Sequence, residues 1–142
     1  MNSNSRDIKA FLKKAFIYLE EGNTKEYFKY VADDVVCVVT GSQPLSGTHR
    51  GIHDYKELFL RMERLLREPL KFKTRQMVVE GNRAAIVLEA YSKTLDGLPL
   101  HYVTCWIVDI NNNKIDRVEV FSDAIALANL FESAKATGAK RT

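Results

Sequence analysis

Residues 98–110 read LPLHYVTCWIVDI, a stretch in which successive side chains alternate and β-branched and aromatic residues predominate. Three comparable stretches surround it, at residues 71–80 (KFKTRQMVVE), 83–94 (RAAIVLEAYSKT) and 114–121 (KIDRVEVF). The segments between them, EGN, LDG and NNN, are short and consist mostly of turn-forming residues. The sequence therefore predicts four successive strands that form an antiparallel meander.

The N-terminal half of the chain carries helical patterns instead. Apolar residues recur at intervals of three and four between Ile8 and Leu19, which is the spacing of a helix with one buried face. The same spacing predicts a longer helix that begins after Gly51 and closes before Pro69. Both helices are amphipathic, so each is expected to pack one face against the sheet.

Shorter elements complete the pattern. Asn23 with Glu26 resembles a capping box that starts a short helix through Val31, and residues 35–40 (VVCVVT) read as a strand. The next residues, 41–51 (GSQPLSGTHRG), have the composition of a turn, and we interpret them as a loop over the rim of a pocket.

A last apolar segment, AIALANLF, is predicted to be helical. The predicted order is therefore helix, helix, strand, helix, four strands and a terminal helix. Helices that cluster early and strands that cluster late indicate an α+β domain in which helices cover one face of a curved antiparallel sheet. Such a sheet tends to leave a cavity inside its curve.

The composition suits one globular domain. Of the 142 residues, 46% are hydrophobic and 27% are charged, which is enough for one substantial core and too little for two. We predict a single domain over residues 1–142, with an ordered core at about residues 6–132 and a polar C-terminal tail.

Charge and cysteine usage limit the partners. A formal net charge of +3 is small for a dedicated nucleic-acid binder, and the basic stretch at residues 61–75 is interrupted by acids, as on a solvated helix face. No apolar run approaches the length of a membrane span or a signal peptide. Cys37 and Cys105 lie in separate apolar runs, as buried reduced thiols do. We expect a cytoplasmic protein with no nucleic-acid or membrane partner.

His101 is the strongest candidate for chemistry. Strand alternation places it on one face with Val103 and Cys105, and places Tyr102 and Trp106 on the other. If the first face lines the cavity, an imidazole among apolar residues would suit acid/base catalysis. The other interpretation is a histidine that is hydrogen-bonded in the core or at the sheet margin.

Other reactive groups give weaker signals. Asp123 precedes the last helix, so it is either its N-cap or a carboxylate at the mouth of the cavity. Cys105 lies about 13 Å along the strand from His101 at about 3.3 Å per residue, too far for a Cys–His dyad. No metal-ligand spacing, phosphate loop or nucleophile motif occurs, so we expect no metal and no cofactor.

Three stretches resemble a known family: residues 20–59 (EEGNTKEYFKYVADDVVCVVTGSQPLSGTHRGIHDYKELF), 96–109 (DGLPLHYVTCWIVD) and 111–127 (NNNKIDRVEVFSDAIAL). Together they are similar to the nuclear transport factor 2-like (NTF2-like) superfamily, in its SnoaL-like and ketosteroid-isomerase-like branch. The resemblance implies a cone-shaped, cystatin-like fold, a curved antiparallel sheet around a long helix. It further implies a hydrophobic pocket at one end and frequent homodimerisation through the sheet.

The catalytic groups of the steroid isomerases do not carry over. The resemblance places Val39 or Thr40 where those enzymes have the aspartate base. It places Ala15 where they have a tyrosine and Cys105 where they have a protonated aspartate. All three roles are vacant, which argues against the isomerase reaction.

Two further reactions occur among the relatives that the resemblance implies. Epoxide hydrolases of this fold use an Arg and two Asp residues, but the strand around His101 has no R-x-D pattern and Val120 takes the place of the second carboxylate. Polyketide cyclases use a histidine and an aspartate, for which His101 and Asp123 are the local candidates.

The sequence therefore predicts a domain that binds a small apolar molecule. The alternative is an isomerase, cyclase or hydrolase of a small apolar metabolite with His101 as acid/base. The predicted pocket contains Ala15, Tyr18, Leu19, Thr40, Leu58, Phe59, Met62, Val103, Cys105, Val118 and Val120.

Overall fold

The structure, a computed structural model, describes residues 5–137. Within that range the helices are α1 (Ser5–Glu20), α2 (Thr24–Tyr27), α3 (Gly51–Glu63) and α4 (Ala124–Ala136). The strands are β1 (Val31–Val39), β2 (Gly47–Arg50), β3 (Lys71–Glu80), β4 (Arg83–Lys93), β5 (Pro99–Asn111) and β6 (Lys114–Ser122). The α+β class and the predicted meander β3–β4–β5–β6 are confirmed.

The six strands form one open sheet in the order β2-β1-β6-β5-β4-β3 within the described residues. Every neighbouring pair is antiparallel except β1 and β6, which run parallel. The sheet is therefore mixed, whereas the sequence predicted an antiparallel one. β1 and β6 are separated along the chain by β2, α3 and β3 to β5. No tight turn between them therefore requires an antiparallel direction.

Several elements differ from the prediction. The stretch at residues 41–51 contains β2, which pairs with β1 from Val36↔Arg50 to Val39↔Gly47. The short helix ends at Tyr27 and continues as a 3₁₀ turn, so β1 begins at Val31 and not at residue 35, with an irregular pairing to β6 between Val31 and Val36. The helix α3 ends at Glu63, and α4 continues through Ala136 into the predicted tail. Residues 138–142 of that tail lie outside the described part of the chain.

The core lies between the sheet and α1. Leu12, Phe16 and Leu19 of α1 are buried against the sheet, and the Phe16 ring meets Trp106 edge-on with 5.6 Å between centroids. We call this covered side the inner face and the opposite side the outer face. On β5 the even-numbered residues from Leu100 to Ile110 are buried, so they form its inner face. None of the described helices is long and apolar enough to cross a bilayer.

Candidate ligand-binding cavity

A cavity of about 110 Å³ lies on the inner face of the sheet. Its floor comes from β1, β5 and β6, and one wall comes from the apolar face of α3. Gln43 and Ser46 of the loop between β1 and β2 lie at its rim, and α4 contributes Leu127 and Phe131. Five predicted lining residues take part: Leu19, Leu58, Phe59, Met62 and Val120.

The other predicted lining residues lie elsewhere. Ala15 and Val118 are fully buried in the core, Tyr18 packs near Tyr30, and the Thr40 hydroxyl donates to the Val120 carbonyl at 2.8 Å. Val103 and Cys105 lie on the outer face, because the inner positions of β5 are the even-numbered ones. The alternation predicted for β5 is observed. The prediction assigned the cavity to the face of Val103 and Cys105, whereas the cavity lies on the even-numbered face.

The inner face of β5 places a chain of hydrogen bonds in the cavity wall. The indole Nε1 of Trp106 donates to Oγ1 of Thr104 at 3.1 Å, and that oxygen lies 2.8 Å from Oγ of Ser122. The indole N–H is only a donor, so the Thr104 oxygen accepts from it. The Thr104 O–H in turn donates a hydrogen bond to Ser122 or to the Phe121 carbonyl, which is 3.2 Å away. The wall can therefore offer either a donor or an acceptor at Ser122.

A second pair of hydroxyl groups joins α2 to α3. The phenolic oxygens of Tyr27 and Tyr55 are 2.8 Å apart, and both residues are buried. Burial raises the pKa of both phenols and raises the pKa of the neighbouring Cys37 thiol to about 12. Tyr55 and Cys37 therefore present uncharged polar groups to the cavity at neutral pH.

Tyr102 is the remaining phenol of the cavity wall. It is 7% exposed, and among residues 5–137 its hydroxyl group has no hydrogen-bond partner. Burial raises its pKa above the ordinary value, so the hydroxyl keeps its proton at neutral pH. Tyr102 is thus a largely buried side chain with a hydroxyl donor that water can reach and that the described protein does not use.

Charge is confined to the rim. Among the described lining residues, Glu63 at the end of α3 alone is a carboxylate, and it is exposed. No Lys, Arg or His belongs to the lining in that part of the chain. The described residues also contain no cluster of three or more His, Cys, Asp and Glu residues that could hold a metal ion. The interior therefore provides hydroxyl groups and apolar surface, without a titrating acid or base.

His101 lies on the outer face, with a side chain that is 52% exposed. Its Nε2 is 2.8 Å from Oε1 of Glu89, and its ring stacks on Tyr91 with 4.7 Å between centroids. Hydrogen bonds from Tyr91 and then His101 lower the pKa of Glu89, with a further contribution from Arg75. A proton could pass between His101 and the cavity only across the sheet, so this geometry does not support the acid/base role that the sequence suggested.

Asp123 caps α4. Its carboxylate accepts hydrogen bonds from the backbone N–H groups of Ile125 at 3.0 Å and Ala126 at 3.1 Å. The residue is exposed and does not line the cavity, so it is not brought together with His101. Its contribution to the site is indirect, because it fixes the start of the helix that supplies Leu127 and Phe131.

The sequence itself matches the SnoaL-like domain family model over residues 8–118. The chain belongs to the SnoaL-like domain family. The match covers β1 to β5 and all of α3, together with most of α1 and the first part of β6, so it includes most of the sheet and the main wall of the cavity. No curated protein matches this SnoaL-like domain in sequence.

Solved structures share the fold of this SnoaL-like domain at low sequence identity. PrhC from Penicillium brasilianum superposes with a TM-score of 0.81 at 17% identity, over 96% of this chain and 93% of its own. TerC, co-crystallised with polyporic acid, gives 0.78 at 18% identity, over 88% and 98%. A putative SnoaL-like polyketide cyclase from Jannaschia sp. CCS1 gives 0.74 at 9% identity, over 92% and 96%. These likenesses establish the NTF2-like, cystatin-like fold.

Sequence reasoning missed the polar side of the cavity in this SnoaL-like domain. Alternation assigned Tyr102 and Trp106, and with them Thr104 between the two, to the face opposite the predicted cavity, and Tyr55 and Ser122 were not among the predicted lining residues. One signal was available: Tyr102 and Trp106 are the bulkiest side chains of β5, and large aromatic residues usually lie where a sheet meets its covering helices. The paired hydroxyl groups left no such signal, because each pair joins distant parts of the chain.

Proposed function

We propose that this SnoaL-like domain binds a small, mainly apolar molecule in the cavity. The observation that carries the proposal is a cavity wall of apolar side chains and neutral hydroxyl groups, with its one described carboxylate at the rim. Apolar area gains roughly 25 cal/mol per Å² on burial, so covering about 200 Å² of ligand would contribute about 5 kcal/mol before the entropic cost of association. Such binding needs no catalytic group.

Trp106 provides the test. It is the only tryptophan of the chain and it lines the cavity, so ¹⁵N-labelled protein should show a single indole N–H resonance that reports directly on occupancy. We expect acetophenone, a neutral single-ring molecule, to shift that resonance saturably. The cavity volume of about 110 Å³ is of the order of the roughly 150 Å³ apolar cavity that accepts benzene.

Two matched substitutions separate the cavity from the surface. Val120→Phe adds bulk to a lining residue and should abolish the shift. Val78→Phe makes the same change at an exposed position of β3 and should leave the shift intact. A saturable shift that survives Val120→Phe would place the ligand outside the cavity and contradict the proposal.

A homodimer formed through the outer face is part of the proposal. Tyr91, Val103 and Phe121 are 41%, 42% and 44% exposed, and they lie on the neighbouring strands β4, β5 and β6. Arg75 and Glu89, which form an ion pair at 3.1 Å, provide both signs of charge beside them. An apolar patch with mixed charge suits a symmetric contact between two copies.

Light scattering coupled to gel filtration tests the dimer. We expect a dimer mass for the native chain and a monomer mass for Val103→Glu, because a carboxylate at the centre of the patch would be buried without a partner. Ile125→Glu, at an exposed position of α4, is the control and should stay dimeric. A monomer mass for the native chain would overturn this part of the proposal.

A cytoplasmic location is also proposed. Cys37 on β1 and Cys105 on β5 are both free, and β6 lies between their strands. Unpaired thiols suit a reducing compartment. Fractionation of cells that produce the chain would test this, and recovery from a secreted or membrane fraction would contradict it.

A further inference from the structure

The hydroxyl groups of the cavity differ in what they are free to bind. Those of Tyr55, Thr104 and Ser46 are paired within the protein, to Tyr27, to Trp106 and Ser122, and to the backbone near Gln43. Thr24 and Gln43 are half-buried near the rim, where water can pair with them. The Tyr102 hydroxyl has no partner among the described residues, and since none of their buried side-chain polar atoms lacks a partner, it is accessible to water.

A ligand that fills the cavity displaces the water that can pair with the Tyr102 hydroxyl, and a hydroxyl left without any partner is unfavourable. Tyr102 lines the cavity, so an acceptor on the bound molecule is the group that can replace that water. A phenol is a good donor, and Tyr102 keeps its proton at neutral pH. The complementary ligand atom is therefore a hydrogen-bond acceptor.

The charge distribution limits that acceptor further. A carboxylate in the cavity would lose its hydration with no Lys, Arg or His of the described lining to pair with, and Glu63 at the rim would repel it. An ammonium group has no use for the Tyr102 proton, and the carboxylate that could pair with it lies only at the rim. A neutral oxygen meets neither penalty.

We propose that Tyr102 determines the ligand specificity of this cavity, and that the ligand is an apolar molecule with a neutral acceptor oxygen of the ketone, quinone or ester type. This inference rests on the proposed binding function and deepens it, because it assigns one residue and one chemical class. The chain from Trp106 through Thr104 to Ser122 would accommodate a second polar group of either hydrogen-bonding character.

Four probes of nearly identical shape test the inference: acetophenone, cumene, benzoate and 1-phenylethylammonium. Each carries a forked substituent of the same size on a benzene ring, and they differ in polarity and charge. We expect the native protein to bind acetophenone about 3- to 10-fold more tightly than cumene, the range that one net hydrogen bond gives. Benzoate and the ammonium probe should bind more weakly than cumene. Affinities are measured from the Trp106 indole resonance.

Tyr102→Phe is the decisive variant. It removes one oxygen and keeps the ring, so we expect it to fold, as its thermal unfolding transition will show. It should bind cumene like the native protein while losing the preference for acetophenone. Tyr91→Phe, the same change on the outer face, should keep that preference, because the Tyr91 hydroxyl donates to Glu89 at 2.6 Å away from the cavity.

The outcomes distinguish the inference from the function on which it rests. Equal binding of cumene and acetophenone by the native protein, or a preference that survives in Tyr102→Phe, would overturn the role of Tyr102 while leaving cavity binding established. Tightest binding of benzoate would overturn the assignment of a neutral ligand. If none of the four probes shifts the indole resonance, the binding function fails and the inference fails with it.

Discussion

The hydroxyl oxygens of Tyr27 and Tyr55 lie 2.8 Å apart, between two rings that are almost completely buried. Tyr27 is the last residue of α2 and Tyr55 lies on α3, so this hydrogen bond connects two helices that each contribute to the cavity lining. Each oxygen depends on the other, because each would otherwise be a buried polar group without a partner.

Removing both hydroxyl groups should therefore cost less stability than the sum of the two single removals. We expect Tyr27→Phe and Tyr55→Phe each to lower the free energy of unfolding by about 1–2 kcal/mol. The double variant should cost roughly 1 kcal/mol less than the sum of the two. Urea denaturation of the four proteins measures the cycle, and additive losses would show that the two oxygens are not coupled.

Alkaline pH should weaken the fold through groups whose pKa is raised by burial. The ordinary pKa is 10.0 for the phenols of Tyr27, Tyr55 and Tyr102 and 9.0 for the Cys37 thiol. Burial raises the pKa of all four groups, that of the Cys37 thiol to about 12. In the unfolded chain these groups lose protons first, so their contribution is complete below about pH 9 and decreases as pH rises toward the folded values.

Tyr102→Phe isolates one of these groups. Between pH 10 and the raised folded pKa, each such group lowers the free energy of unfolding by about 1.4 kcal/mol per pH unit. The variant should therefore lose stability less steeply than the native protein in urea denaturation above pH 10, while Tyr91→Phe serves as the matched control. Identical slopes for native and Tyr102→Phe protein would mean that Tyr102 ionises as freely in the folded state as in the unfolded one.

Two substitutions at Asp123 distinguish its capping role from any role of its negative charge. Asp123→Ala should destabilise the start of α4 by about 1 kcal/mol and weaken acetophenone binding, because α4 supplies Leu127 and Phe131. Asp123→Asn keeps the capping oxygen and should behave like the native protein in both measurements. A loss of ligand affinity in Asp123→Asn that equals the loss in Asp123→Ala would indicate that the negative charge matters.

His101→Ala should leave the cavity unaffected. The Trp106 indole resonance and the acetophenone affinity should match those of the native protein, because His101 lies on the other face of the sheet. Its loss should instead raise the pKa of Glu89 toward the ordinary value, since one of the hydrogen bonds that lowers it disappears. A carboxyl ¹³C titration measures that shift. Weakened ligand binding in His101→Ala would show that the imidazole contributes to the cavity site.

The fold was predictable where its determinants are local. The meander follows from alternation and short turns that a single stretch of sequence displays, and Asn112 and Asn113 adopt the positive φ values that the NNN turn requires. The strand β2 was not predictable in that way, because it has four residues, begins at Gly47 and follows a segment rich in turn formers. The parallel pairing of β1 with β6 leaves no local signal at all.

The candidate site was predictable in part for the same reason. The apolar face of α3 identified Leu58, Phe59 and Met62 as lining residues, because a helix shows its buried face through spacing. On β5 both faces carry apolar side chains, so alternation separated His101 from Tyr102 without indicating which of them faces the helices. That choice depends on packing with α1, through contacts such as Phe16 with Trp106.

The parallel pairing of β1 with β6 also sets the order in which this chain can fold. Thr40, just after β1, donates to the Val120 carbonyl 80 positions later, whereas each meander strand pairs with the strand that directly follows it. Closing so long a loop costs more chain entropy than closing a hairpin, so we expect the meander to form early and β1 to dock late. Because β1 contributes Cys37 and Val39 to the lining, we expect the cavity to be completed in the last step of folding.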